Sequence, residues 1–257
     1  MTLATLTLDA LTIHDEESFE HVAIYGDLKA ALQASGYTFR VLPDGEPPRH
    51  DHALLLNLTF WQPDAGGDIL PSADLEADVV AHVAWHHLAN RAFCRTADQR
   101  ASADALFLGE SIASAFDVYL VGRLLGHAPN SSFLESQVPA MADATSAAGL
   151  SEDDFETMLG ELAANPEAAF AELRALLMDT TRALFDARDA AGAHEVLVKA
   201  QARRFGSLLH RYELSNWVLF AKAYASAAPD AAVRAFDATL RDEAAIETLC
   251  KEWLGPA

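Results

Sequence analysis

Two histidines four residues apart, in His82-Val83-Ala84-Trp85-His86-His87, are followed by a carboxylate at Glu110. Two neutral imidazole nitrogens and one carboxylate oxygen form a ligand set that zinc accepts while a fourth position stays open for water or substrate. An α-helix turns every 3.6 residues, so His82 and His86 share one face, and Asp78 extends that stripe one turn back. Glu110, Ser114 and Asp117 share a face of the next predicted helix, at spacings of four and three. The connection between the two helices is centred near residue 98. An antiparallel hairpin about that point sets His86, twelve residues before it, level with Glu110, twelve after it. The same count puts Asp117 opposite Val79, near Asp78 and His82. The expected cofactor is therefore one zinc ion held by His82, His86 and Glu110. Asp117 and Asp78 are the expected outer-shell acceptors that fix an imidazole tautomer. His87 points about 100° away from His86 and is not expected on the same ion.

With these residues in place, the segment resembles the gluzincin metallopeptidases, the thermolysin-like group with a zincin fold. That family carries His-Glu-x-x-His on one helix and a ligand Glu on a later one. Gly109-Glu110-Ser111-Ile112-Ala113-Ser114 is similar, in loosened form, to the family's Asn-Glu-x-x-Ser-Asp segment. Residues 52–61 correspond to the edge strand along which the family lays its peptide. The resemblance covers residues 50 to 125 and implies a zinc-dependent hydrolase acting on a peptide or small-molecule substrate. It also implies a transition-state donor from the helical part, for which His210 and Tyr212 are the candidates.

Two positions depart from the family. Its general base is the Glu directly after the first His, and here that residue is Val83, which can neither accept nor relay a proton. Its Asp four residues after the ligand Glu is replaced by Ser114, with Asp117 one turn further on. The resemblance thus implies either a hydrolase with an altered general base or an inactive metallopeptidase relative. The competing expectation comes from another class: a non-enzymatic helical interaction protein whose His–carboxylate pairs form only a buried hydrogen-bond network. A di-iron carboxylate bundle needs Glu-x-x-His pairs, and the chain has none. Gly-x-Ser-x-Gly, Gly-x-Gly-x-x-Gly and Walker motifs are also absent.

Composition narrows the partners. The 257 residues include 38 acidic and 18 basic ones, for a net charge of −20. Nucleic acid and anionic membrane surfaces are excluded as expected partners, because both call for a basic face. The two cysteines, Cys94 and Cys250, form neither a disulfide framework nor a C-x-x-C site. The start of the chain lacks a basic segment leading into an apolar run, and no run reaches the ~18 uninterrupted apolar residues of a membrane span, so the expected location is the cytoplasm. No oligomeric state is indicated.

The elements that must position these residues read as α+β, mainly α. They comprise a small N-terminal mixed sheet, the two-helix metal-site hairpin and a helical C-terminal part. Strands are predicted over 5–13, 37–42 and 52–61, with a Pro-rich turn at 43–48 and a polar loop at 95–101. One helix is predicted from Asp15 to Ser35, stopped by Gly36; another is capped by Ser72 and ends near Phe93, with no strand after Ser72. Further helices span 102–125, start at Ser151 and at Asn165-Pro166, and cover 193–227 and 230–254. Residues 1–128 are expected as a zincin-like domain and 150–257 as a helical domain, with 129–149 between them.

Overall fold

The computed structural model describes residues 3–42, 68–93 and 101–255. The expected strand at 52–61, the turn at 43–48, all of the expected 95–101 loop but its last residue, and Cys94 lie outside the described residues. The fold is α+β and mainly α, as the periodicities require. The chain divides into two compact units, Met1–Ala84 and Trp85–Ala257.

In the first unit, β1 (Ala4–Thr7) pairs antiparallel with β3 (Thr38–Val41), and β3 pairs parallel with β4 (Ile69–Leu70). A second, parallel ladder joins β2 (Thr12–His14) to β5 (Asp74–Glu76). Helix α1 (Ala23–Ser35) places Leu28 and Leu32 on one face, and both are fully buried, as are Phe39 of β3 and Phe19. Gly36 ends α1 in the left-handed conformation, where its lack of a Cβ removes the steric cost.

Three sequence expectations for this unit are corrected. The strand predicted over 5–13 is split by a 3₁₀ turn, Leu8–Ala10, which drops Leu8 into the core and directs its two halves into different ladders. Asp15 starts only a short 3₁₀ helix, Glu16–Phe19, and not the α-helix. It adopts φ 58° and takes a bond from the Ser18 hydroxyl, a short-range alternative open to Asp, and α1 begins only at Ala23. Ser72 does not cap the next helix, because β5 intervenes. Exposed Asp74, buried Leu75 and exposed Glu76 alternate with period two, the signature of a strand.

Helix α2 (Ala77–Phe93) carries the histidines and leads into the second unit. There α3 (Ala103–Leu124) is the central helix, buried on nearly every face and packed most extensively on α6 (Pro166–Asp186). It is long and apolar enough to cross a membrane, with a mean hydropathy of 1.4, but 72% of that window is buried inside the protein. Around it lie α4 (Ser132–Ala147), α5 (Glu152–Ala164), α7 (Ala190–Gln201), α8 (Arg211–Tyr224), α9 (Ala231–Thr239) and α10 (Ala245–Leu249), the last followed by a π turn, Cys250–Leu254. Most of residues 129–149 thus belong to α4, which holds Pro139 within it.

The expected starts at Ser102, Ser151, Asn165-Pro166 and Asp230 are all present. Each side chain accepts from a backbone N–H of the first turn and so satisfies a donor the helix leaves open. The long helices predicted over 193–227 and 230–254 are each interrupted. In the first, the backbone of Gly206 lies against the carbonyls of Ala200 and Gln201, leaving no room for a Cβ, and the chain turns. In the second, the Leu240 carbonyl accepts from Arg174 Nε at 3.2 Å and Nη2 at 3.0 Å, so a buried side chain takes over where helical bonding stops.

Candidate metal centre

His82 and His86 lie on consecutive turns of α2, and Glu110 lies near the middle of α3. One ligand atom from each lies within 4.8 Å of the others. His86 Nε2 is 3.4 Å from Glu110 Oε2. That separation exceeds the ~2.7–2.9 Å of a charge-assisted N–H···O bond. It matches the ~3.3–3.4 Å edge of a tetrahedron whose ligands stand about 2.0–2.1 Å from a central ion. The side chains of His86 and Glu110 are 31% and 30% exposed, so water reaches both of them.

The helices are antiparallel at this point, as three contacts show. A Cβ built on Gly109 meets Ala89 Cβ at 3.3 Å and His86 Nδ1 at 3.9 Å; His86 Nε2 faces Glu110; and Trp85 packs edge-on to Phe116 with ring centroids 5.4 Å apart. As the residue number falls along α2 it rises along α3. Gly109 is what brings the helices close enough for Glu110 to reach His86. The other edge of the same imidazole, at Nδ1, lies over this glycine.

Trp85, between the two histidines, is fully buried against Phe116 and Trp253. Sequence reading did not single out Gly109 or Trp85 for these roles. The pairing of Gly109 with Ala89 at nearly the same height as His86 and Glu110 was the available signal.

The remaining expected site residues take other places. Asp117 is two turns along α3 from Glu110, with its Oδ1 atom closed off from solvent. Asp78, on the first turn of α2, lies near Tyr25 of α1. Burial first, then a hydrogen bond to Glu16 and the charges of Glu16 and Asp78, push the Tyr25 phenol far above its ordinary pKa. His87 is not in the cluster. Burial, and then the charge of Arg91, hold its imidazole below its usual pKa.

His210 precedes α8 and pairs with Glu213 at 3.7 Å, while Tyr212 is 71% exposed; His210 is not a member of the cluster. Val83 is only 5% exposed and belongs to the core.

No family model, curated protein or solved structure matches this chain.

The chemistry available is that of the donor set itself. Two imidazoles and a carboxylate balance one charge of a divalent ion and leave it partly exposed, which suits Lewis-acid activation or capture of an incoming oxygen or nitrogen donor. The residue after the first histidine supplies no proton acceptor.

Proposed function

We propose that this protein binds one zinc ion through His82, His86 and Glu110, on a zincin-like helix pair, and that it is an inactive relative of metallopeptidases in its peptide chemistry. The convergence of the three ligand atoms within 4.8 Å carries this reading. The 3.4 Å between His86 and Glu110, at the edge length of a zinc tetrahedron, supports it further. The buried, apolar Val83 supports the second half: a peptidase base must reach metal-bound water and then the leaving amine. The open side of the ion would take a small-molecule donor or a peptide carbonyl as a ligand.

The test is the metal content of untagged protein. One equivalent of zinc that is lost in both His82→Ala and Glu110→Ala is the expected result. Protein that holds no zinc after equilibration, with a melting temperature indifferent to zinc and to chelator, would assign the cluster to a hydrogen-bond network in a non-enzymatic interaction protein.

A further inference from the structure

A second constellation lies in the helical unit and owes nothing to the metal centre. The buried carboxylate of Asp104, in the first turn of α3, accepts from Arg234 Nε at 2.7 Å and Nη2 at 3.5 Å and from the Asp230 backbone N–H at 2.9 Å, and it pairs ionically with Arg182 Nε at 3.3 Å. Three hydrogen bonds and one ion pair thus converge on this carboxylate. Asp104 therefore holds both guanidinium groups by their Nε edges. The Nη edge of Arg182 has no acceptor among the described residues.

Both arginines line a cavity of about 230 Å³, with Phe107, Phe185 and Pro229 as apolar wall and Asp186 at its exposed rim. The Phe107 and Phe185 rings meet edge to face, 5.6 Å apart. That volume is several times the ~30 Å³ of a water molecule in the liquid and admits a molecule of amino-acid size.

The groups at the cavity differ in sign, and the charge of Asp186 also acts on Arg234. Arg182 offers a planar pair of donors suited to a carboxylate. Asp186, at the C-terminal end of α6 where the helix dipole is negative, offers a site for an ammonium group. Between them the two phenylalanines and Pro229 offer contact to an apolar body. A chain of net charge −20 repels simple anions, whereas a zwitterion carries no net charge to be repelled.

We propose that this cavity binds a free amino acid with an aromatic or large apolar side chain, its carboxylate on Arg182, its ammonium on Asp186 and its side chain against Phe107 and Phe185. Calorimetry or ligand-observed NMR with three probes tests it: L-phenylalanine, 3-phenylpropionate, which lacks the ammonium, and phenethylamine, which lacks the carboxylate. L-Phenylalanine is expected to bind at least tenfold tighter than either fragment. Arg182→Gln is expected to abolish that advantage over phenethylamine, and Asp186→Asn the advantage over phenylpropionate. Asp186 is exposed, so the second variant keeps the fold intact. Absence of L-phenylalanine binding at millimolar concentration, equal binding of all three probes, or affinity unchanged in both variants would overturn the proposal.

Discussion

His86 and Glu110 face each other at 3.4 Å across two antiparallel helices, each twelve residues from position 98. A carboxylate at this distance from one imidazole, with a second imidazole one helical turn away, gives the cluster its chemical meaning. Glu110→Gln keeps the shape of the side chain and removes its charge. Losing an outer-shell partner typically costs about 10–100-fold in metal affinity, and a direct ligand should cost at least that. Competition against a chromophoric chelator should therefore show zinc affinity at least ~100-fold weaker in Glu110→Gln, with the far-ultraviolet spectrum unchanged.

Much of this relationship was legible in the sequence. The i, i+4 histidines, the acid at matched height and the N-cap at Ser102 needed only helix geometry. The caps at Ser151, Asn165 and Asp230 were legible for the same reason, since one residue and its local bond define each. What escaped was set by contacts distant in sequence. β5 exists because β2 pairs with it, and the break after Thr239 exists because Arg174 reaches the Leu240 carbonyl. Arg182 and Arg234 meet on Asp104 only once three helices are packed. Val83 was visible as a missing base, but its burial in the core was not.

Gly109 governs the approach of the two helices. Gly109→Ala adds a methyl group 3.3 Å from Ala89 Cβ and 3.9 Å from His86 Nδ1. Relief of the helical glycine is worth up to ~1 kcal/mol and offsets the crowding, so stability should change by less than about 1 kcal/mol. Zinc affinity should nevertheless fall, and Ala89→Gly in the same chain should restore it. Parallel chemical denaturation and zinc titration of the single and double variants separate the two effects.

Val83→Glu restores the letter of the metallopeptidase pattern at a position that is 5% exposed. A carboxylate introduced into the core without a partner carries a desolvation cost of several kcal/mol. The variant should unfold at lower urea concentration than the parent and should gain no peptide or ester hydrolysis. Turnover of a peptide substrate with stability retained would contradict the placement of Val83 in the core.

Arg174, fully buried, is held by Asp237 at 2.7 Å, and Asp237 in turn takes Arg241 at 2.6 Å. Asp237→Ala leaves a buried guanidinium uncompensated and should cost about 3–5 kcal/mol. Burial alone would raise the pKa of Asp237, but hydrogen bonds from Arg241 and Arg174 bring it below the ordinary carboxylate value of 3.8. Because the folded-state value is the lower one, the stabilisation is complete above pH 3.8 and is lost as pH falls through the depressed value. Urea unfolding of parent and variant should therefore differ most near neutrality and converge in acid below that pH.

The most direct measurement of the metal-site proposal is X-ray absorption at the zinc edge on protein loaded with one equivalent. The expected first shell has two imidazole nitrogens and a carboxylate oxygen, all at about 2.0–2.2 Å. The imidazole signature should weaken in His86→Ala, and the shell should change in Glu110→Gln. A hydration shell of oxygens alone, or a spectrum identical in parent and both variants, would contradict it.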